Sequence, residues 1–147
     1  MVTSRAVKIG ILGSDARALA MERLLVEGGH NVCNGSAGND AFACDMLIFA
    51  GPRGGADEIV SQLGRIDNRT VIVDAMEDTL SAGPDATEIL AGKLGTRRVI
   101  RALMALPKAG SNVLMWGDDP SDMKLVAHVF RSAGCMPTDC DPTPNGK

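Results

Sequence analysis

The clearest opportunity for chemistry lies near the start of the chain. There Gly13, Ser14, Asp15, Ala16, Arg17 and Ala18 join a short apolar run, "KIGIL", to a segment rich in alanine and leucine. A glycine turn between a strand and a helix presents backbone N–H groups at the positive end of the helix dipole, an arrangement that holds phosphate groups. The spacing fits the G-x-G-x-x-G/A pattern at Gly13 and Ala18, with Asp15 in place of the second glycine. That glycine lets the backbone approach a pyrophosphate, so a carboxylate there takes up space and repels the ligand. An aspartate just before a helix also caps the N–H groups of Arg17 or Ala18, which are the donors a pyrophosphate would use. Arg17, in the first turn, can reach a phosphate, screen Asp15 or point into water.

Other residues of interest fall at the ends of apolar runs. Asn34, Gly35 and Ser36 follow "HNVCN" and can hydrogen-bond a ribose or phosphate, although Asn-Gly-Ser is also an ordinary turn signal. No acidic residue ends that run, which argues against the ribose contact of an NAD site. Ala50, Gly51, Pro52 and Arg53 close "DMLIFAG", and Asp74 lies in "TVIVDA". Ligands of α/β proteins bind at the carboxyl ends of such strands. Asp118, Asp119 and Asp122 around Pro120 read as a capped helix start rather than a metal site. Cys33, Cys44, Cys135 and Cys140 form no C-x-x-C pair, and His30 and His128 sit at unrelated spacings, so reduced thiols in packing positions are expected. Met46, Met76, Met104 and Met115 read as core filling, and no hydrolytic triad can be argued.

The elements that must position these residues alternate along a chain of 147 residues, a length that suits one domain. Strands are expected at "VKIGIL", "HNVCN", "DMLIFAG", "TVIVDA", "RRVIRAL", "NVLMWG" and near "MPTDC". Helices are expected at "ARALAMERLLVEG", with Leu19, Ala20, Arg23 and Leu24 at helical spacing, and at "GADEIVSQLG", "DATEILAGKLG" and "PSDMKLVAHVFRSAG". This alternation predicts an α/β fold: a single Rossmann-like, doubly wound, mostly parallel sheet with helices on both faces. The link between "RRVIRAL" and "NVLMWG" is too short for a parallel crossover, so those strands should be antiparallel or non-adjacent. The domain is expected to span residues 1–141, with a flexible tail at 142–147. A net charge of −3 and an absence of tyrosine argue against nucleic-acid or anionic-membrane partners. No run approaches a membrane span, and Gly13, Ser14 and Asp15 end the first apolar run too early for a signal peptide. The expected compartment is the cytoplasm.

The order of segments resembles the N-terminal domain of the NADPH-dependent reductases of the deazaflavin coenzyme F-420, a domain also found in eukaryotic transmembrane metalloreductases. "KIGILGSDARALAMERLLVEGGHNV", "NGS", "DMLIFAGP", "TVIVDAMED", "RVIRALMALPKAG" and "VLMWGDDPSDMKLVAHVFRSAGCMPTDCDP" follow that family's order over about the whole chain. The departures are Asp15, Ala37 where NADP-preferring members carry arginine, a nearly deleted helix after the second strand, and an end just past "DCDP". Loss of that arginine forfeits a charge-assisted contact worth about 1.5–3 kcal/mol.

The resemblance implies an NADP(H)-binding oxidoreductase domain that transfers hydride between NADPH and a deazaflavin, flavin or other acceptor. Gly13 to Arg17, Asn34 to Ser36, Ala50 to Arg53 and Asp74 would surround the dinucleotide, with a second redox cofactor as a further partner. The departures support an alternative, a degenerate module acting in protein interaction or regulation. The reduced second crossover should leave one sheet face thinly covered, so association into a homo-oligomer or with a partner chain is expected.

Overall fold

The computed structural model describes residues 7–13, 16–34, 44–52, 56–63, 69–77 and 86–140. Their elements run β1 (Lys8–Leu12), α1 (Ala16–Glu27), β2 (Asn31–Asn34), β3 (Met46–Pro52), α2 (Ala56–Leu63), β4 (Val71–Glu77), α3 (Ala86–Leu94), β5 (Val99–Leu103), β6 (Asn112–Trp116), α4 (Pro120–Ser132) and β7 (Met136–Asp139). The described strands form a sheet in the order β2-β1-β3-β4-β5-β6-β7. β1 to β5 are parallel; β6 turns back antiparallel to β5, and β7 is parallel to β6. The fold is Rossmann-like, as the alternation of segments predicts, and the short link before β6 does reverse the chain.

The central strands read as near-continuous apolar runs because both their faces are covered. On one face, Ile9, Ile11, Ile48 and Val73 pack with Met21 and Leu25 of α1 and Val126 and Phe130 of α4. On the other, Leu47, Phe49 and Ile72 pack with Leu90 and Leu94 of α3 and the half-buried Ile59 and Val60 of α2. Met46, Met76, Met104 and Met115 are all buried, as are Cys44 and Cys135. The buried stripe of α1 is Ala18, Met21, Leu24 and Leu25. Leu19, placed by its spacing on the apolar face, is instead exposed. The small Ala18 takes the inward position because it lies directly beside Gly13.

The start of α4 matches its sequence signals. Asp119 is the N-cap, its carboxylate accepting from the amides of Ser121 (2.8 Å) and Asp122 (3.2 Å), and Pro120 opens the helix. Asp122 is buried and takes a two-pronged ion pair from Arg98, with Nε donating at 3.1 Å and an Nη at 2.7 Å. That hydrogen bond raises the Arg98 pKa above its ordinary value, with desolvation opposing it. The pair ties the first turn of α4 to the start of β5.

Candidate functional site

The strand order reverses at β1, which has β2 on one side and β3 on the other. In open α/β sheets the ligand crevice lies at such a switch point, outside the carboxyl ends of the strands. Gly13 stands there, directly after β1, with φ +143°. A Cβ at this position would overlap the carbonyl oxygen of Ala50 in β3 and would lie 3.3 Å from the Ala18 side chain. Glycine is therefore required twice, by its backbone angle and by the close approach of the turn to β3. Gly51, the next residue of β3, also has a positive φ, +111°, and pairs with Met76 of β4.

The structure brings most of the described candidates to one edge. Asn34 ends β2 and is in register with Ile11 of β1, which pairs in turn with Ile48. Gly13, Ala50, Gly51 and Pro52 follow on β1 and β3, and Ala16 and Arg17 open α1 above them. Asp74 lies in β4 level with Phe49, two residues short of Gly51 in the pairing. Ser14, Asp15, Gly35, Ser36 and Arg53, together with Ala37, lie outside the described residues.

Two of these side chains have structural work that their types alone did not reveal. Asp74 is 1% exposed; its carboxylate accepts from the Thr87 hydroxyl at 2.7 Å and from the Met76 amide at 3.3 Å. It thereby fixes the first turn of α3 to β4. Arg17 neither points simply into water nor stays on its own helix. Its Nε donates to the Ala75 carbonyl (3.3 Å), and its two Nη groups donate to the carbonyls of Met104 (2.6 Å) and Ala105 (3.0 Å). The guanidinium thus braces the start of α1 against the end of β4 and the segment after β5. Nothing local in the sequence marks this role, because the acceptors are main-chain oxygens 58 to 88 residues away. Thr87 was likewise missed, although a threonine in a first helical turn opposite a buried aspartate is a recognisable partner.

A serine and a histidine also meet away from the crevice. His30 Nε2 lies 2.6 Å from Ser132 Oγ. Nucleophilic chemistry would need the imidazole to accept the serine proton. Here the Val7 amide donates to His30 Nδ1 at 3.1 Å, so the ring proton resides on Nε2. Ser132 in turn donates to the Val129 carbonyl at 2.8 Å. The pair is structural. Burial pushes the Cys135 thiol upward in pKa, against a hydrogen bond from the Ser111 backbone, and so favours its protonated form. No group of three or more metal-ligating side chains occurs among the described residues. Among them, too, no helix is long and apolar enough to cross a membrane.

No protein-family model matches the chain, and no curated protein matches its sequence. Solved structures do resemble it. Prephenate dehydrogenase from Aquifex aeolicus, in complex with hydroxyphenyl propionate and NAD+, superposes with a TM-score of 0.71 at 13% identity, covering 96% of this chain and 62% of that one. Pyrroline carboxylate reductase from Plasmodium falciparum, with NADP bound, gives 0.67 at 12% identity, covering 90% and 58%. A hypothetical protein from Sinorhizobium meliloti gives 0.67 at 20% identity, covering 92% and 85%. The chain spans about three fifths of the length of the dehydrogenase and the reductase it matches. At these identities the likeness establishes the fold alone, which is Rossmann-like.

Proposed function

We propose that this chain is an NADP(H)-binding, oxidoreductase-like domain serving hydride transfer between NADPH and a deazaflavin, flavin or other acceptor. One observation carries the reading: at the strand-order reversal, Gly13 sets the turn into α1 against Ala50 without a side chain between them. A tight turn out of the first strand is the place that the first glycine of a dinucleotide cradle takes. The turn from Gly13 to Arg17, the turn from Asn34 to Ser36 and the segment from Ala50 to Arg53 would hold the dinucleotide. Asp74 would keep the β4 and α3 side of the crevice in place. When bound, the cofactor supplies the hydride; the protein supplies orientation and electrostatics.

A second reading, a degenerate module used in protein interaction or regulation, is favoured by Arg17. Its guanidinium is committed to carbonyls at the edge where a ligand would lie. Thermal melting with and without NADPH separates the two. A site filled to about a hundred times its dissociation constant adds roughly 2.7 kcal/mol of stability; no shift at saturating NADPH would refute the oxidoreductase reading. Asp15→Gly refines the test. Two like charges about 4 Å apart repel by about 4 kcal/mol at an effective dielectric near 20. Even half of that corresponds to more than a tenfold gain in NADPH affinity for the glycine variant. An unchanged affinity would mean that Asp15 does not oppose the cofactor.

The expected second chain would meet a sheet face rather than a sheet edge. Exposed Leu114 of β6 and Met136 of β7 lie outside both apolar clusters, at the opposite end of the sheet from the reduced β2–β3 crossover. The amides of Met136 in β7 and of Cys140 just after it bond toward β6, which leaves Pro137, lacking an N–H, on the outward register. A proline there blunts strand addition.

A further inference from the structure

We propose that His30 is an acid-sensitive latch that joins the end of α4 to the starts of β1 and β2. His30 directly precedes β2 and is buried. Its Nδ1 accepts from the Val7 amide, just ahead of β1, and its Nε2 donates to Ser132, the last residue of α4. One imidazole thus closes a contact among three elements that are far apart in sequence. The helices come together at the same place, since a Cβ on Gly28 would lie 3.0 Å from Ala133.

The latch holds only while the ring is neutral. Both partners demand the same tautomer: the Val7 N–H needs a bare Nδ1, and Ser132, whose own proton goes to the Val129 carbonyl, needs an N–H from Nε2. A proton added at Nδ1 would face the Val7 N–H, donor against donor, and leave that amide unsatisfied. The described charged or titratable groups are Asp122, Lys124, His128 and Arg131 on α4, Lys8 on β1, and Arg17, Glu22, Arg23 and Glu27 on α1, the helix that leads into His30. Among these His128 acts on the ring directly, in an edge-on contact with centroids 6.3 Å apart. Burial first, and then the charge of His128, hold His30 below the ordinary imidazole value of 6.5, against an opposing interaction with the Val129 backbone. The unfolded chain therefore takes up the proton first. Stability is full above 6.5 and declines as the pH falls from there toward the lower value of the folded state.

Nitrogen-15 NMR of the whole protein at about pH 7.5 and about pH 5 tests this directly. At the higher pH the His30 ring proton should sit on Nε2 and the Val7 amide should resist exchange. At the lower pH that protection, corrected for intrinsic rates, should fall by about tenfold or more. A ring proton on Nδ1 at the higher pH, or unchanged Val7 protection, would overturn the latch. Urea unfolding of His30→Gln should lose most of the midpoint shift between the two pH values, whereas His128→Gln should retain most of it. Equal shifts in wild type and His30→Gln would also overturn it. If His30→Gln fails to fold, the two NMR readouts on the wild type decide alone.

Discussion

At Gly13 two demands coincide, and they can be separated by substitution. Its φ of +143° costs any other residue about 1–3 kcal/mol of backbone strain, and its Cβ would also drive into a main-chain oxygen that cannot rotate away. Gly29 has a comparable positive φ, +92°, with nothing within 4 Å of the place a Cβ would take. Gly29→Ala should therefore cost about 1–2 kcal/mol, the strain alone. Gly13→Ala should cost about 3 kcal/mol or more, because β3 and the turn must also move apart. Urea denaturation of the two variants measures the difference; equal losses would mean that the turn can yield and that Ala50 does not constrain it.

Elements in this fold are joined by side chains whose removal is not symmetric. The Arg98–Asp122 pair ties α4 to β5, with Asp122 nearly sealed (side chain 4% exposed) and Arg98 reaching water (37%). Removing Arg98 leaves a buried carboxylate without its cation, whereas removing the charge of Asp122 leaves an arginine that water can solvate. Arg98→Met should thus destabilise by about 2–3 kcal/mol and Asp122→Asn by about 1 kcal/mol, the partial exposure of Arg98 reducing both. The double variant should lose less than the sum of the two. Equal single losses in thermal or urea unfolding would contradict this ordering. Asp74 and Thr87 do the same work for α3, and Arg17 does it for α1 through main-chain oxygens.

On the scale of the whole molecule, the two faces of the sheet are unequally dressed. Around β1, β3 and β4 helices cover both faces, but Leu114 and Met136 at the β6–β7 end are exposed. Leu114→Lys with Met136→Lys should leave the unfolding midpoint almost unchanged, since exposed substitutions shift stability by about 0.5 kcal/mol or less. If a second copy covers this face, the same double variant should shift the sedimentation of a dimer to that of a monomer. A wild type that sediments as a monomer at high concentration would remove self-association from the proposal.

The sequence alone determined the architecture because burial on both faces of a parallel sheet leaves its mark residue by residue. Apolar runs such as "MLIFAG" and "VIVDA" had to be central strands, and the Asp119–Pro120 start of α4 announced itself through local backbone chemistry. The tight turn after β1 was legible for the same reason, since Gly13 and the strand alternation are local signals. What only the tertiary structure decided concerns groups whose partners lie far along the chain. Arg17 could have met a phosphate or water, and found the carbonyls of Ala75, Met104 and Ala105. His30 and Ser132, 102 residues apart, gave no periodic or spacing signal at all. Helical spacing put Leu19 in line with Arg23, and only the folded helix shows it exposed while Ala18 lies buried beside Gly13. Patterning fixes which faces are buried; side-chain reach across the folded chain fixes which polar groups are consumed in holding it together and which are left for a ligand.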